Sequence, residues 1–121
     1  MSMELKLVYN DDDIVRVQTM GKVSRDGWAP TKNPFVDLFG PTIFSRKVLL
    51  NLQSSHYLDS TGVEWLLSNH KRFNAAGGTL VIHSFNPVMA QILKMMRMDL
   101  VLNLAKDETA AMEMLNGAPH E

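Results

Sequence analysis

The chain reads as an α/β domain on a mixed sheet of four or five strands, in the order β-β-(short α)-β-α-β-α-β-α. Three observations predict it. Two alternating runs open the chain and flank the acidic turn Asn10-Asp11-Asp12-Asp13, which is the pattern of a hairpin. From Val48 onward, short apolar runs alternate with amphipathic helical stretches, which implies parallel strands joined by right-handed crossovers. The later helices carry their own start and stop signals.

In the first run Met3, Leu5, Leu7 and Tyr9 alternate with Glu4 and Lys6, as in a half-buried strand. In the second, Ile14–Val23, Val15, Val17 and Thr19 share one face and Gly21 marks the end. Residues 24–47 are broken by Gly27, Pro30, Pro34, Gly40 and Pro41. Within them Asn33-Pro34 caps a short helix that Gly40-Pro41 stops, and a second short turn runs through Thr42–Ser45. Val48–Leu52 is continuously apolar, as in a strand covered on both faces. Val63, Leu66, Leu67, His70 and Phe73 recur at helical spacing over Ser60–Ala75, and Gly77-Gly78 ends that helix. Thr79–Ile82 is the next strand. Asn86-Pro87 opens a helix to about Met96 with Val88 or Met89, Ile92, Leu93 and Met96 inward. Leu100–Leu104 reads as the last strand and Asp107–Asn116 as the last helix, with acids in its first turn.

The 121 residues suffice for one domain with its own core, spanning 1–117, and residues 118–121 are expected to fray. Lysine and arginine number 12 against 13 aspartates and glutamates, and the net charge of −1 offers no basic surface for nucleic acid. With no cysteine there is no disulfide, thiol nucleophile or thiolate metal site. No segment resembles a signal peptide or a membrane span, so a cytoplasmic location without membrane insertion is expected.

Catalytic signatures are missing: no GxSxG, phosphate-binding glycine loop or HExxH occurs. Asp59-Ser60-Thr61-Gly62 superficially resembles the Asp-Thr-Gly of aspartic proteases, but the glycine comes one place late and no second copy supplies the partner carboxylate. His56, His70, His83 and His120 have no metal-ligand spacing; His70 lies on an apolar stripe and His56 in the loop before the long helix. No catalytic residue, metal or cofactor is assigned. The nine methionines concentrate in Met89–Met98 and Met112–Met114, where core filling outweighs an adaptable binding surface.

The turn before the long helix carries two readings. Thr61-Gly62-Val63-Glu64 has the spacing of a capping box, with Ser60 or Asp59 as equal candidates for the cap. A hydroxyl at an exposed helix N-terminus is also a favourable place for a phosphate, since unpaired N–H groups and the helix dipole attract negative charge. Spacing alone leaves capping ahead.

These residues resemble the STAS domain family, the bacterial anti-sigma factor antagonists. The resemblance rests on the strand Val48–Leu52, on Leu58-Asp59-Ser60-Thr61-Gly62 followed by Val63–Leu67, and on Ala76-Gly77-Gly78-Thr79-Leu80-Val81-Ile82, Asn86-Pro87-Val88 and Met98-Asp99-Leu100. It covers about Val48–Leu115, with a plausible strand pair at Met3–Val23. It implies helices packed mainly on one face of the sheet, and a regulatory role by partner switching with no catalysis by the chain itself. The unmodified antagonist binds an anti-sigma factor that is also a serine/threonine kinase of the ATPase type. Phosphorylation at the turn releases it, and a cognate phosphatase resets it.

By this resemblance Thr61, immediately before the glycine, is the acceptor and Ser60 the fallback. Asp59 and Ser60 shape the turn, and Gly62 allows close approach of a partner. Glu64, Trp65, Ser24 and His56 complete the expected partner surface; Trp65 is a candidate anchor, with a Trp folded over the core edge an equal reading. Three departures from the family pattern stand out. Glu64 replaces a small residue, and its charge opposes a phosphate on Thr61. Ser24 in Gly21-Lys22-Val23-Ser24 replaces an aspartate, and a divided segment replaces a full first helix. The alternatives are a non-phosphorylated STAS scaffold subunit of a sensor or lipid-transport assembly and, from another class, a nucleotide or small-molecule binder. A homo-oligomer stays open.

Overall fold

The computed structural model describes residues 3–11, 13–26, 28–29 and 31–116. The tail expected to fray at 118–121 lies outside the described residues, as do Gly27, Pro30 and the middle of the acidic turn, Asp12. Among the described residues five strands form one sheet: β1 (Glu4–Asn10), β2 (Ile14–Met20), β3 (Lys47–Asn51), β4 (Thr79–His83) and β5 (Asn103–Ala105). They lie side by side in chain order; β1 and β2 are antiparallel, and each later neighbour is parallel. The hairpin turn forms because Asp11 Oδ1 accepts the backbone N–H groups of Asp13 (2.9 Å) and Ile14 (2.7 Å).

Among the described residues four helices cover the sheet. α1 (Pro34–Phe39) starts at Asn33, whose side chain accepts the Phe35 N–H at 3.0 Å, and ends at Gly40. A 3-10 turn (Pro41–Ser45) follows. α2 (Ser60–Ala75), α3 (Pro87–Met95) and α4 (Glu108–Leu115) start at Asp59, Asn86 and Asp107, each side chain capping a backbone N–H three residues on. Two apolar layers result. Val15, Val17, Val48, Leu50, Leu80 and Ile82 project to one side, into a core closed by Phe35, Phe44, Leu66, Phe73, Met89 and Leu93. Their alternates Ile14, Leu49, Val81 and Ala105 project to the other side, under Ala111 and Leu115 of α4. The period-2 alternation of strand side chains produces this division. It is also why β3 reads as continuously apolar.

Three expectations change in detail. The last strand is Asn103–Ala105, because Met98–Leu100 forms a 3-10 turn first. β1 is less buried than its alternation suggests: a bulge between Leu7 and Tyr9 breaks the register, and Leu7, Val8 and Tyr9 are exposed. On α3, Met89 and Leu93 are buried, whereas Val88 and Met96 face solvent and Met95 is 75% exposed. His70 is buried on α2, as its apolar stripe suggests, with Nε2 3.2 Å from Asn74 Nδ2, but its buried Nδ1 has no hydrogen-bond partner among the described residues.

Candidate functional site

The turn between β3 and α2 is built on the two strands beneath it. Ser55 Oγ meets Thr19 Oγ1 at 2.7 Å, both side chains buried, which pins the loop after β3 to the end of β2. Beyond the strand ends Val23 and Leu58 form a single parallel bridge: Val23 N–H donates to Tyr57 O at 2.9 Å, and Asp59 N–H to Val23 O at 3.4 Å. Residues 23–26 thereby lie along residues 57–62 as a seam.

Gly62 makes the seam possible. A Cβ at this position would sit 1.9 Å from Val23 O and 2.6 Å from Val23 C, so any side chain would push the two segments apart. The close approach that the sequence assigns to an external partner is therefore filled, in the chain itself, by its own Val23.

The polar groups of the seam converge on Asp59. Oδ1 accepts the Thr61 hydroxyl at 2.7 Å and the Gly62 N–H at 2.8 Å, and Oδ2 accepts the Ser24 hydroxyl at 2.5 Å. Partial burial on its own raises the Asp59 pKa. The hydrogen bonds from Ser24, Thr61 and the Gly62 N–H outweigh it and hold the carboxyl below the usual carboxylate range. Thr61 Oγ1 also accepts the Arg25 N–H at 2.8 Å and lies 3.3 Å from Ser24 Oγ, which in turn accepts the Asp26 N–H at 3.1 Å.

Of the expected site residues, Ser24, Asp59, Thr61 and Gly62 come together here, and Ser60 beside them is exposed. The capping box does not form. Helix α2 begins at Ser60, so Asp59 is the cap, and the Thr61 hydroxyl is drawn to Asp59 and Arg25 rather than to the Glu64 N–H. Glu64 is exposed, and its carboxylate bonds no described residue. His56 is exposed and likewise apart from the network.

Trp65 is not a surface anchor. It is 3% exposed, stacked on Phe35 (centroids 5.5 Å, planes 9° apart) and met edge-on by Trp28 at 6.0 Å. The divided segment 24–47 supplies both partners, so its short helix takes up the Trp as core. Sequence reasoning missed Tyr57, half exposed on the seam with Lys22 Nζ 5.3 Å from its ring centre, and the Thr19–Ser55 pair. An aromatic two places before the motif was the available signal for Tyr57. Nothing in the spacing pairs Thr19 with Ser55.

The site offers hydroxyls, a carboxylate and a helix N-terminus. No group of three or more His, Cys, Asp or Glu able to hold a metal occurs among the described residues, and no described helix is long and apolar enough to cross a membrane.

Known structures share this architecture. A Thermotoga maritima protein superposes with a TM-score of 0.76 at 19% identity, over 94% of each chain. The anti-sigma factor antagonist SpoIIAA in its unphosphorylated form gives 0.61 at 15% identity, over 96% of this chain and 99% of that one. An anti-sigma factor antagonist from Mycobacterium paratuberculosis gives 0.63 at 13%, over 95% of both. At such identities the likeness establishes the fold. The family model of the STAS domain matches residues 9–111, most of the chain and all of the seam. The chain belongs to the STAS domain family.

Proposed function

We propose that this chain is a regulatory protein-binding module of the partner-switching type, an anti-sigma factor antagonist without catalysis of its own, working in the cytoplasm. Its partner is an anti-sigma factor that is also a serine/threonine kinase of the ATPase type, and a phosphatase resets it. The partner docks on the seam, where Tyr57, Lys22 and Ser60 are exposed around Thr61. One observation carries the reading: the Thr61 hydroxyl lies 2.7 Å from the Asp59 carboxylate, in the turn where the family's acceptor stands. A phosphate there brings roughly −1.5 to −2 charges against a carboxylate already ionised. The seam cannot keep its bonds to Asp59 and Arg25 and also hold that group, so docking is lost by charge and by shape together.

A second reading has its own support. Thr61 Oγ1 is both donor and acceptor within the chain, so it can serve as a structural pin in a constitutive scaffold subunit, with exposed Ser60 as the reactive hydroxyl if either is modified. Purification from the native cell with partners retained, followed by mass spectrometry, tests both readings. The switch predicts a copurifying ATPase-type kinase, a phosphate on Thr61, and binding by Thr61→Ala but not Thr61→Glu. Equal binding by the two variants refutes it.

A further inference from the structure

The edge of the sheet at β1 carries a pattern that no described residue uses. β1 pairs with β2 alone, leaving its outer edge unpaired among the described residues. Glu4 and Lys6 are exposed on one face of this strand, and neither forms an ion pair with a described residue. Their cross-strand neighbours on β2 are Met20 and Gln18, which are uncharged, so the two charges have no counterpart in their own sheet. An unpaired edge is a template for a second strand, and across such a joint opposite charges favour pairing while like charges oppose it. Here the sign alternates across Leu5.

We propose that two copies of this chain pair through β1, antiparallel about a two-fold axis at Leu5, joining their sheets into one of ten strands. Centring on Leu5 sets Glu4 of each copy opposite Lys6 of the other and Met3 opposite Leu7. Centring on Glu4 or on Lys6 sets like charges opposite one another, and centring between residues leaves both charges facing apolar side chains. The charges thus select one register.

The other face fits the same register. Beside the free edge, between β1 and α1, lies an open cleft of about 410 Å³, with Met3, Leu5, Pro34 and Leu38 in its lining and the charged Glu4, Lys32 and Asp37 among them. Leu7 is 42% exposed and Leu38 47% among the described residues. Pairing Met3 with Leu7 of the second copy brings that exposed leucine to the mouth of the cleft, twice by symmetry. The bulge between Leu7 and Tyr9 ends the regular stretch, so the contact spans residues 3–7 and makes a weak, reversible dimer rather than an obligate one.

Sedimentation of the full chain from about 1 µM to about 1 mM tests this, over the range in which weak contacts form. The wild type should show a monomer–dimer equilibrium that weakens with added salt. Glu4→Lys or Lys6→Glu alone sets like charges opposite at both symmetry-related places and should weaken the dimer roughly ten- to thirtyfold, which is about 0.7–1 kcal/mol at each of the two pairs. The double reversal E4K/K6E should restore the wild-type constant to within about threefold, because the pairs re-form with exchanged signs. Circular dichroism verifies that all three variants fold, as expected for two exposed side chains. A wild type that stays monomeric throughout, or a double reversal no tighter than the singles, overturns the proposal.

Discussion

Replacing Gly62 with alanine sets two effects of opposite sign against each other at the seam. Helix propensity favours the substitution: Gly62 lies in the first turn of α2, and alanine in a helix is better than glycine by about 0.8–1 kcal/mol. Contact opposes it. The new Cβ would stand 1.9 Å from Val23 O, so the chain at Val23 must retreat by about 1.5 Å to reach ordinary contact near 3.4 Å. That retreat breaks the Val23 N–H to Tyr57 O bond (2.9 Å), the Asp59 N–H to Val23 O bond (3.4 Å) and the Arg25 N–H to Thr61 Oγ1 bond (2.8 Å). At about 1 kcal/mol each, the three outweigh the propensity gain and leave a net loss of about 2 kcal/mol. Val23 is fully buried, so its displacement adds to the cost. Urea unfolding with linear extrapolation reads the difference directly. Ser68→Ala, at an exposed position of the same helix, controls for propensity and should be neutral or slightly stabilising. If Gly62→Ala is as stable as the wild type or more so, the seam is not held by close packing and the account of Gly62 is wrong.

Three further outcomes follow from the same geometry. Asp59→Ala should lose about 1 kcal/mol as an uncapped helix, while Asp59→Asn keeps most of the cap, both measured by urea unfolding. Because the Asp59 carboxyl titrates below its unfolded value of 3.8, its contribution is complete above that pH and is lost as pH falls through the folded value; Asp59→Asn should therefore flatten the acid end of the stability curve. Trp65→Ala should cost about 3–5 kcal/mol, since it empties the space between Phe35 and Trp28, and a loss below about 1 kcal/mol in urea unfolding would contradict its place in the core. His83, with Nδ1 2.8 Å from Ser84 Oγ, is held below its usual value of 6.5 by burial, against the opposing pull of Glu108 and Asp107. Stability should decline as pH drops below 6.5, where the unfolded chain takes up a proton that the folded one resists, and His83→Gln should flatten that decline in a pH-dependent unfolding series.

The strands and helices are readable because their signals are local. Asn33, Asp59, Asn86 and Asp107 each sit one residue before a helix and cap it. The apolar run of β3 announces a strand between two layers. What escaped depends on tertiary partners. Trp65 stands on α2 one turn from Thr61, and only the packing of Phe35 and Trp28 from the divided segment makes it core rather than surface. The Thr61–Glu64 spacing allowed a capping box, but the choice between caps was made by Ser24 and Arg25, more than thirty residues away. The bulge that exposes Leu7, Val8 and Tyr9 is a register event between two strands, and alternation within one of them cannot reveal it. The site was therefore legible as a motif, while its hydrogen-bonded form was not.

That form limits how the Thr61 oxygen can be approached. A hydroxyl oxygen has one hydrogen to give and two lone pairs to offer. On Thr61 the hydrogen is given to Asp59 and one lone pair is taken by the Arg25 N–H, so a single lone pair remains, with Ser24 Oγ 3.3 Å from the oxygen. An electrophile approaching in line has one angle of entry, and residues 24–26 stand beside it. If Thr61 is the acceptor proposed above, transfer to it has to use that remaining lone pair, beside residues 24–26.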